Sequence, residues 1–233
     1  MIRPKQAIVD AATAHRGKSI GMSVVVFDFD GTLVDSSPGI LTSFDQAFSE
    51  CGLTPKLTID ASIIGPPLEN ALQLLSGNHD ATVILRLAAA FSKCYDQVGY
   101  KRTREFPGIT RLLNRLSVRK SLHIVTNKRA QPTRLILERL GWTDLFQNTY
   151  ALDMFRPSIA CKSDVLAKLL RDRNFPAGEC VYVGDRTEDA TAAKANGVSF
   201  IGVTWGFSNR DAEELKENYL TVDSAQALLA LLE

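Results

Sequence analysis

The sequence predicts an α/β protein in which a mostly parallel sheet carries an inserted helical domain. Three observations support this fold class. An apolar stretch at residues 24–27 precedes two acidic residues, helical patterns fill residues 37–105, and strand patterns alternate with helical ones from there onward. Strands separated by helices indicate βαβ units, which align the strands in parallel. We therefore predict a core of residues 22–36 and 106–233, with a helical insertion at residues 37–105.

The first predicted strand, residues 24–27, leads directly into a pair of acidic residues. Three valines and a phenylalanine favour a short buried strand. Asp28 and Asp30 follow with one residue between them, and Gly31 allows the backbone to turn sharply. Ligands bind at the carboxyl ends of strands in an open α/β sheet, so both carboxylates are candidate site residues. The alternative is that the two aspartates only cap a turn, which their residue type also favours.

The helical insertion, residues 37–105, shows apolar residues at intervals of three and four. Gly52, Gly77 and Gly99 follow successive apolar segments and mark helix ends. We predict a small helical lid whose inward faces carry Ile40, Leu41, Phe44, Ala47 and Phe48, then Leu68, Ala71, Leu72 and Leu75, then Val83, Leu87, Ala90, Phe91, Cys94 and Tyr95.

From residue 106 onward, the sequence alternates between segments with strand patterns and segments with helical spacing. Apolar runs of strand length stand between segments of helical spacing, as a parallel sheet requires. We predict strands at residues 122–125, 180–183 and 198–203, and helices at residues 109–116, 135–140, 165–170, 190–194 and 225–232.

Polar residues follow two of these later strands as well. Thr126 and Asn127 come after residues 122–125, where a hydroxyl and backbone N–H groups ahead of a helix can bind a phosphoryl oxygen. An ordinary helix N-cap is the alternative. Asp185 and Asp189 come after residues 180–183, spaced by one helical turn.

Acidic residues gathered at one edge of a sheet repel each other unless a cation lies between them. Mg²⁺ prefers oxygen ligands and relieves that repulsion, so the acids predict a magnesium site. The alternative is a capped helix with solvated acids. Lys162 precedes the helical segment at 165–170 and could offset the charge of a nucleophile and a phosphate, although a lysine by itself is more often a surface residue.

Residues 28–36, with the sequence DFDGTLVDS, resemble the first motif of the haloacid dehalogenase superfamily of phosphatases. Thr126 is similar to the second motif, Lys162 to the third, and Gly184-Asp185 with Asp189 to the fourth. The resemblance extends over most of the chain from about Met22. It implies a doubly wound, Rossmann-like core with a type-one helical cap.

This resemblance also implies a role for each motif residue. Asp28 is expected to be the nucleophile that forms an aspartyl phosphate, and Asp30 the general acid and base. Thr126, Asn127 and Gly31 are expected to bind the phosphoryl group. Lys162 is expected to offset negative charge. Proline often follows that lysine in the superfamily, but here Ser163 does, so Lys128 competes for the same role.

The metal site is likewise implied by the resemblance. The Asp28 carboxylate, the Asp30 backbone carbonyl and the Asp185 carboxylate are expected to hold Mg²⁺. Asp189 is expected to support them through water or through Lys162.

The predicted function is a Mg²⁺-dependent phosphatase of a small, phosphoglycolate-like phosphorylated metabolite, most similar to the phosphoglycolate phosphatases. Asp30 favours phosphate esters over halides, because a departing halide needs no proton. Residues 64–68, with the sequence IGPPL, resemble the cap loop of phosphoglycolate phosphatase-like enzymes. Alternatives within the superfamily are a pyrophosphatase, a nucleotidase or a sugar phosphomutase. An alternative of another class is a signalling module in which Asp28 is a lasting phosphoacceptor.

Composition limits the other partners. The formal net charge of the 233 residues is +1, which gives no reason to expect a nucleic-acid partner. No apolar run approaches the roughly 20 residues that span a bilayer, so no membrane partner is expected. The four cysteines are scattered, which favours reduced thiols in a cytoplasmic protein, expected to be a monomer or a homodimer. Residues 1–21 are predicted to be an N-terminal extension, and Met22 could be an alternative translation start.

Overall fold

A parallel sheet of six strands forms the centre of the structure, a computed structural model whose described residues are 22–155, 159 and 161–233. Its strands lie in the order β5-β4-β1-β6-β7-β8, and β2 pairs with β3 in a separate antiparallel ribbon. The strands in this part of the chain are β1 (Val24–Phe27), β2 (Val34–Asp35), β3 (Arg104–Glu105), β4 (Ser121–Thr126), β5 (Asn148–Ala151), β6 (Cys180–Gly184), β7 (Ser199–Val203) and β8 (Thr221–Val222).

Helices cover both faces of this sheet, as parallel strands require. The helices of the described residues are α1 (Ser37–Glu50), α2 (Leu68–Ser76), α3 (Ala81–Gln97), α4 (Ile109–Ser117), α5 (Ala130–Leu140), α6 (Lys162–Arg173), α7 (Thr187–Ala195), α8 (Asn209–Asn218) and α9 (Ala225–Leu232). The predicted fold class, a doubly wound and mostly parallel α/β sheet with inserted helices, is confirmed.

The central position of β1 follows from its sequence. Val25 is paired with Leu122 of β4 on one side and with Val181 of β6 on the other. All four residues of β1 are buried, because helices cover the sheet above and below. A strand buried on both faces has no polar alternation, which explains its continuous apolar run.

The helical insertion forms its own hydrophobic cluster. Phe44 of α1, Leu72 of α2, and Leu87 and Phe91 of α3 pack together, separately from the side chains that cover the sheet. The chain leaves the core through β2 and returns through β3, which pair with each other. The boundaries given above for the core and the insertion remain predictions, since they rest on sequence patterns.

Several elements at the far ends of the sheet were not predicted. β5 is an edge strand of partly polar sequence, NTYA, and β8 has only two residues. α8 is mostly polar, with Leu215 as its buried residue. Such elements lack a continuous apolar run or a wide apolar face, so periodicity does not reveal them.

Residues 1–21, predicted as an extension, lie outside the described residues. Within the described part of the chain, no helix is both long enough and apolar enough to cross a membrane.

Candidate active site

Asp28 lies at the carboxyl end of β1, in the middle of the sheet. Its backbone N–H donates a hydrogen bond to the carbonyl of Val183 in β6 at 2.9 Å, so the sheet itself fixes the residue at this edge. The side chain is buried. Burial, only partly opposed by the positive charge of Lys162 and reinforced by the charge of Asp189, raises the pKa of Asp28 to about 6.

Three buried aspartates meet at this edge. One carboxylate oxygen each of Asp28, Asp185 and Asp189 lies within 4.8 Å of the others. Asp185 follows β6 and accepts a hydrogen bond from the Thr32 hydroxyl at 3.0 Å. Burial raises the pKa of Asp185 well above its usual range, and the charges of Asp189 and Asp28 raise it further. Mutual repulsion of this kind, among hard oxygen ligands, fits a site for a divalent cation.

Lys162 supplies positive charge to this cluster. Its Nζ atom lies 2.7 Å from Asp189 Oδ1 and 3.2 Å from Asp28 Oδ1, and its side chain is 1% exposed. Burial alone would lower the pKa of Lys162, but the charges of Asp189 and Asp28 outweigh it and the pKa is raised. Asp189 also accepts hydrogen bonds from the backbone N–H of Arg186 at 3.0 Å and from the Tyr182 hydroxyl at 3.4 Å. Asp189 is therefore held by donors on several sides, whereas Asp28 Oδ1, among the described residues, has the ion pair with Lys162 but accepts no hydrogen bond.

Two glycines leave room for the Asp185 carboxylate. A Cβ atom on Gly31 would lie 2.3 Å from Asp185 Oδ2, and one on Gly206 would lie 2.2 Å from the same atom. Gly31 also has a φ of +87°, which L-residues with side chains rarely adopt. The turn after β1 and the loop after β7 can therefore approach this acid only because both positions lack a side chain.

Asp30 faces a different lysine. Both of its carboxylate oxygens accept hydrogen bonds from Lys128 Nζ at 3.0 Å, and Oδ1 also accepts one from the Ser36 hydroxyl at 2.6 Å. Lys128 Nζ donates to the hydroxyl of Tyr95, a residue of α3, at 2.8 Å. Burial works against the charge on Lys128, but Asp30 and Tyr95 more than compensate and its pKa is raised. The surroundings of Asp30 thus come from both the core and the helical insertion.

Thr126 and Asn127 lie at the carboxyl end of β4, next to β1. They line the same cavity as Asp28 and Asp30. The Asn127 amide donates to both carboxylate oxygens of Glu188 at 3.1 Å and to the backbone carbonyl of Gly65 at 2.9 Å. Because Gly65 belongs to the predicted cap loop, Asn127 joins that loop to the core.

The structure separates residues that the sequence analysis treated together. Asp28, Asp185, Asp189 and Lys162 lie together in one group, as the family resemblance implied. The Asp30 carboxyl group instead contacts Lys128, so the two lysines contact different acids. The charge-offsetting role of either lysine stays a prediction. The use of the Asp30 backbone carbonyl as a metal ligand stays a prediction.

Several contacting residues were missed by the sequence analysis, among them Ser36, Tyr95 and Glu188. Ser36 lies inside the DFDGTLVDS motif, but no spacing rule linked its hydroxyl to Asp30. Tyr95 was predicted only as a core residue of its helix, and Glu188 had no assigned role. Their partners are distant in sequence or on a turn whose shape is set by packing, so no local pattern could have identified them.

The fold and this acidic centre define a class of protein. The chain matches the family model described as haloacid dehalogenase-like hydrolase over residues 25–203, and it belongs to that family. The predicted family and the predicted enzyme class, a hydrolase of the phosphatase type, are confirmed.

Several individual proteins are similar to the chain. Tyrosine-protein kinase PtkA from Mycobacterium tuberculosis is 33% identical over 201 residues, which cover 84% of this chain and 68% of PtkA. A phosphoglycolate phosphatase from Xanthomonas campestris is 32% identical over 197 residues, which cover 82% of this chain and 87% of that protein. A 5'-nucleotidase from Pseudomonas aeruginosa is 31% identical over 191 residues, with coverage of 80% and 85%.

The fold of this chain is also similar to the folds of solved structures. A haloacid dehalogenase-like family hydrolase from Streptococcus pneumoniae superposes with a TM-score of 0.79 at 26% identity, covering 91% of this chain and 99% of that one.

Proposed function

We propose that the protein is a Mg²⁺-dependent phosphatase that hydrolyses a small phosphorylated metabolite through a phosphorylated Asp28. The observation that carries this proposal is the position of the Asp28 carboxylate. It is buried at the carboxyl end of the central strand β1, 3.2 Å from Lys162 Nζ and close enough to the Asp185 carboxylate for the two to share one ion. A buried carboxylate beside a lysine and a cation site is suited to attack a charged phosphoryl group.

In the first step, a carboxylate oxygen of Asp28 attacks phosphorus while the bond from phosphorus to the alcohol oxygen breaks. Asp30 gives a proton to that departing oxygen. In the second step, Asp30 takes a proton from a water molecule, and the resulting hydroxide attacks the same phosphorus. Inorganic phosphate leaves and the Asp28 carboxylate is restored. The Thr126 hydroxyl and the backbone of Asn127 and Gly31 bind the phosphoryl oxygens throughout.

The carboxylates of Asp28 and Asp185, with the backbone carbonyl of Asp30, would hold the Mg²⁺ ion. When bound, the ion offsets the negative charge of the phosphoryl group and of the acids around it. Asp189 supports this arrangement by holding Lys162, since Asp189 is already engaged by donors from three residues.

Relatives support phosphate monoesters as the substrate class. The proteins from X. campestris and P. aeruginosa are named a phosphoglycolate phosphatase and a 5'-nucleotidase, which makes phosphoglycolate and nucleoside monophosphates the first esters to test. A second candidate is transfer of a phosphoryl group to a protein tyrosine. The specific observation in its favour is the identity to PtkA, which is as high as that to the phosphatases.

The test is inorganic phosphate release from a panel of phosphorylated metabolites, with and without Mg²⁺. We expect release over many turnovers that stops when Mg²⁺ is chelated. One stoichiometric burst would instead support the lasting phosphoacceptor. Incubation with labelled ATP and a tyrosine-containing protein tests the second candidate. Label on tyrosine without release of inorganic phosphate would favour the kinase activity.

A further inference from the structure

A cavity lies between the helical insertion and the sheet, directly against Asp28 and Asp30. We propose that this cavity receives the leaving group of the substrate, and that the preferred leaving group is an uncharged apolar alcohol, alkyl or aryl. This inference rests on the proposed function and narrows its substrate class. It also predicts that phosphoglycolate, whose leaving group carries a carboxylate, is a poor substrate.

The position of the cavity identifies the part of the substrate that it would hold. Thr126 and Asn127, the proposed phosphoryl ligands, lie at its core side with Asp28. Asp30, the proposed proton donor to the departing oxygen, also lines it. Most of the other lining residues belong to the insertion, with Lys128, Arg129 and Pro132 from the core, so the group attached to that oxygen lies mainly among the insertion's side chains.

Those side chains are almost all apolar. The insertion contributes aliphatic and aromatic groups from α1, the predicted cap loop, α2 and α3, among them Ile40, Phe44, Ile64, Leu68, Phe91 and Tyr95. The rings of Phe44 and Phe91 lie 4.7 Å apart, and those of Phe91 and Tyr95 are stacked at 5.5 Å. An apolar and aromatic wall of this kind favours an apolar group over a charged one.

Both cations of the cavity already have hydrogen-bond partners. Among the described residues that line it, the positive charges are those of Lys128 and Arg129. Lys128 donates to both oxygens of Asp30, and its Nζ atom also lies 4.6 Å from the centre of the Tyr95 ring. Arg129 donates to both carboxylate oxygens of Asp96 in α3, at 2.8 and 2.5 Å.

A negative charge on the leaving group would therefore have to compete with Asp30, Tyr95 and Asp96 for these two cations, among side chains that are otherwise apolar. It would lose its hydration, and the existing pairs would have to break before either cation could compensate. An uncharged group meets no such penalty. This asymmetry is the physical basis of the proposed preference.

The experiment compares esters that differ in charge but little in shape. Benzyl phosphate is the parent, and 4-nitrobenzyl phosphate and 4-carboxybenzyl phosphate carry planar substituents of similar size, of which only the second is charged. Acetyl phosphate and phosphoglycolate complete the set. We expect kcat/KM to be at least about tenfold higher for the nitro ester than for the carboxy ester, and for benzyl phosphate than for phosphoglycolate.

A variant tests whether charge is the reason. Leu68 is partly buried at the start of α2 and lines the cavity. Leu68→Arg places an unpaired cation there, and Leu68→Gln is the matched control of similar length without charge. Only Leu68→Arg should move the ratio of kcat/KM toward 4-carboxybenzyl phosphate, by about tenfold.

The outcomes separate this inference from the proposed function. Acetyl phosphate hydrolysis together with equal or better use of the carboxylated esters would overturn the inference and leave the phosphatase intact. No phosphate release from any of the esters or from the acyl phosphate, acetyl phosphate, would overturn both. Preference for the uncharged esters in the wild type, shifted by Leu68→Arg alone, supports the inference.

Discussion

Lys162 and Lys128 are both buried and both pair with aspartates, but their surroundings differ. Lys162 contacts Asp189 and Asp28, which belong to the core together with Lys162 itself. Lys128 contacts Asp30 of the core but also Tyr95 of the helical insertion. The comparison indicates that the acidic cluster on the phosphoryl side of the site is built by the sheet and the core helices α6 and α7. The leaving-group side is completed only when the insertion lies against it.

The two lysines also differ in their position relative to the cavity. Lys128 lies in the cavity wall beside apolar side chains, whereas Lys162 lies behind Asp28 and does not line it. Core substitutions should therefore affect every ester alike, and substitutions at the insertion should depend on the ester.

Replacement of the proposed nucleophile should give the largest loss. Asp28→Asn keeps the shape of the side chain but leaves a poor nucleophile, so we expect phosphate release to fall by about a thousandfold or more for every ester. The fold should persist, because burial disfavours the charge that the substitution removes. Steady-state phosphate release and thermal unfolding measure the two effects. Asp144→Asn, at an exposed position, is the control. Activity within a few-fold of wild type for Asp28→Asn would exclude the nucleophile assignment.

Removal of the core lysine should affect both activity and folding. Lys162→Met leaves two buried acids without their cation, and loss of one partner of a buried pair costs about 3–5 kcal/mol. We expect denaturant unfolding to show a decrease in free energy of that order, with loss of phosphate release. Lys168→Met is the matched control on the same helix, because Lys168 is about one-third exposed and pairs with Asp172 near the surface. A similar, small effect of both substitutions would contradict the view that Lys162 neutralises the acidic cluster.

The Mg²⁺ concentration that activity requires should be set by the acidic residues of the core and not by the insertion. Asp185→Asn removes a charge from the proposed ligand set, and we expect the Mg²⁺ concentration for half-maximal activity to rise by about tenfold or more. The measurement is phosphate release during a Mg²⁺ titration. Asp164→Asn is the control, because Asp164 is exposed beside Lys162 in α6. An unchanged titration for Asp185→Asn would remove that residue from the ligand set.

The contact across the two regions should give the smallest effect. Tyr95→Phe removes the hydroxyl that accepts from Lys128 but keeps the ring, so we expect about 1 kcal/mol of lost stability and a several-fold change in KM. The change in KM should vary with the leaving group, because the ring lines the cavity. Tyr100→Phe is the control. Equal effects of Tyr95→Phe on acetyl phosphate and benzyl phosphate would show that the insertion does not distinguish leaving groups.

Much of the fold could be predicted from local sequence. Residues 24–27 are so apolar that a central, doubly covered strand is the one position that suits them, and the structure confirms it. β5 and α8 could not be predicted, because their polar sequences form regular structure only through pairing and packing with elements elsewhere in the chain. Strand pairing is a contact between distant residues, and periodicity carries no information about it.

The sequence by itself determined that Asp28 and Asp185 lie at the carboxyl ends of β1 and β6. The residue that follows a strand lies at that end of the sheet whatever surrounds it. The sequence also determined that these acids need positive charge nearby. Only the tertiary structure decided how the lysines are shared, with Lys162 on Asp28 and Lys128 on Asp30. The physical reason is that ion pairing depends on distance in space, and α3, α5 and α6 reach those distances only when the helices pack against the sheet.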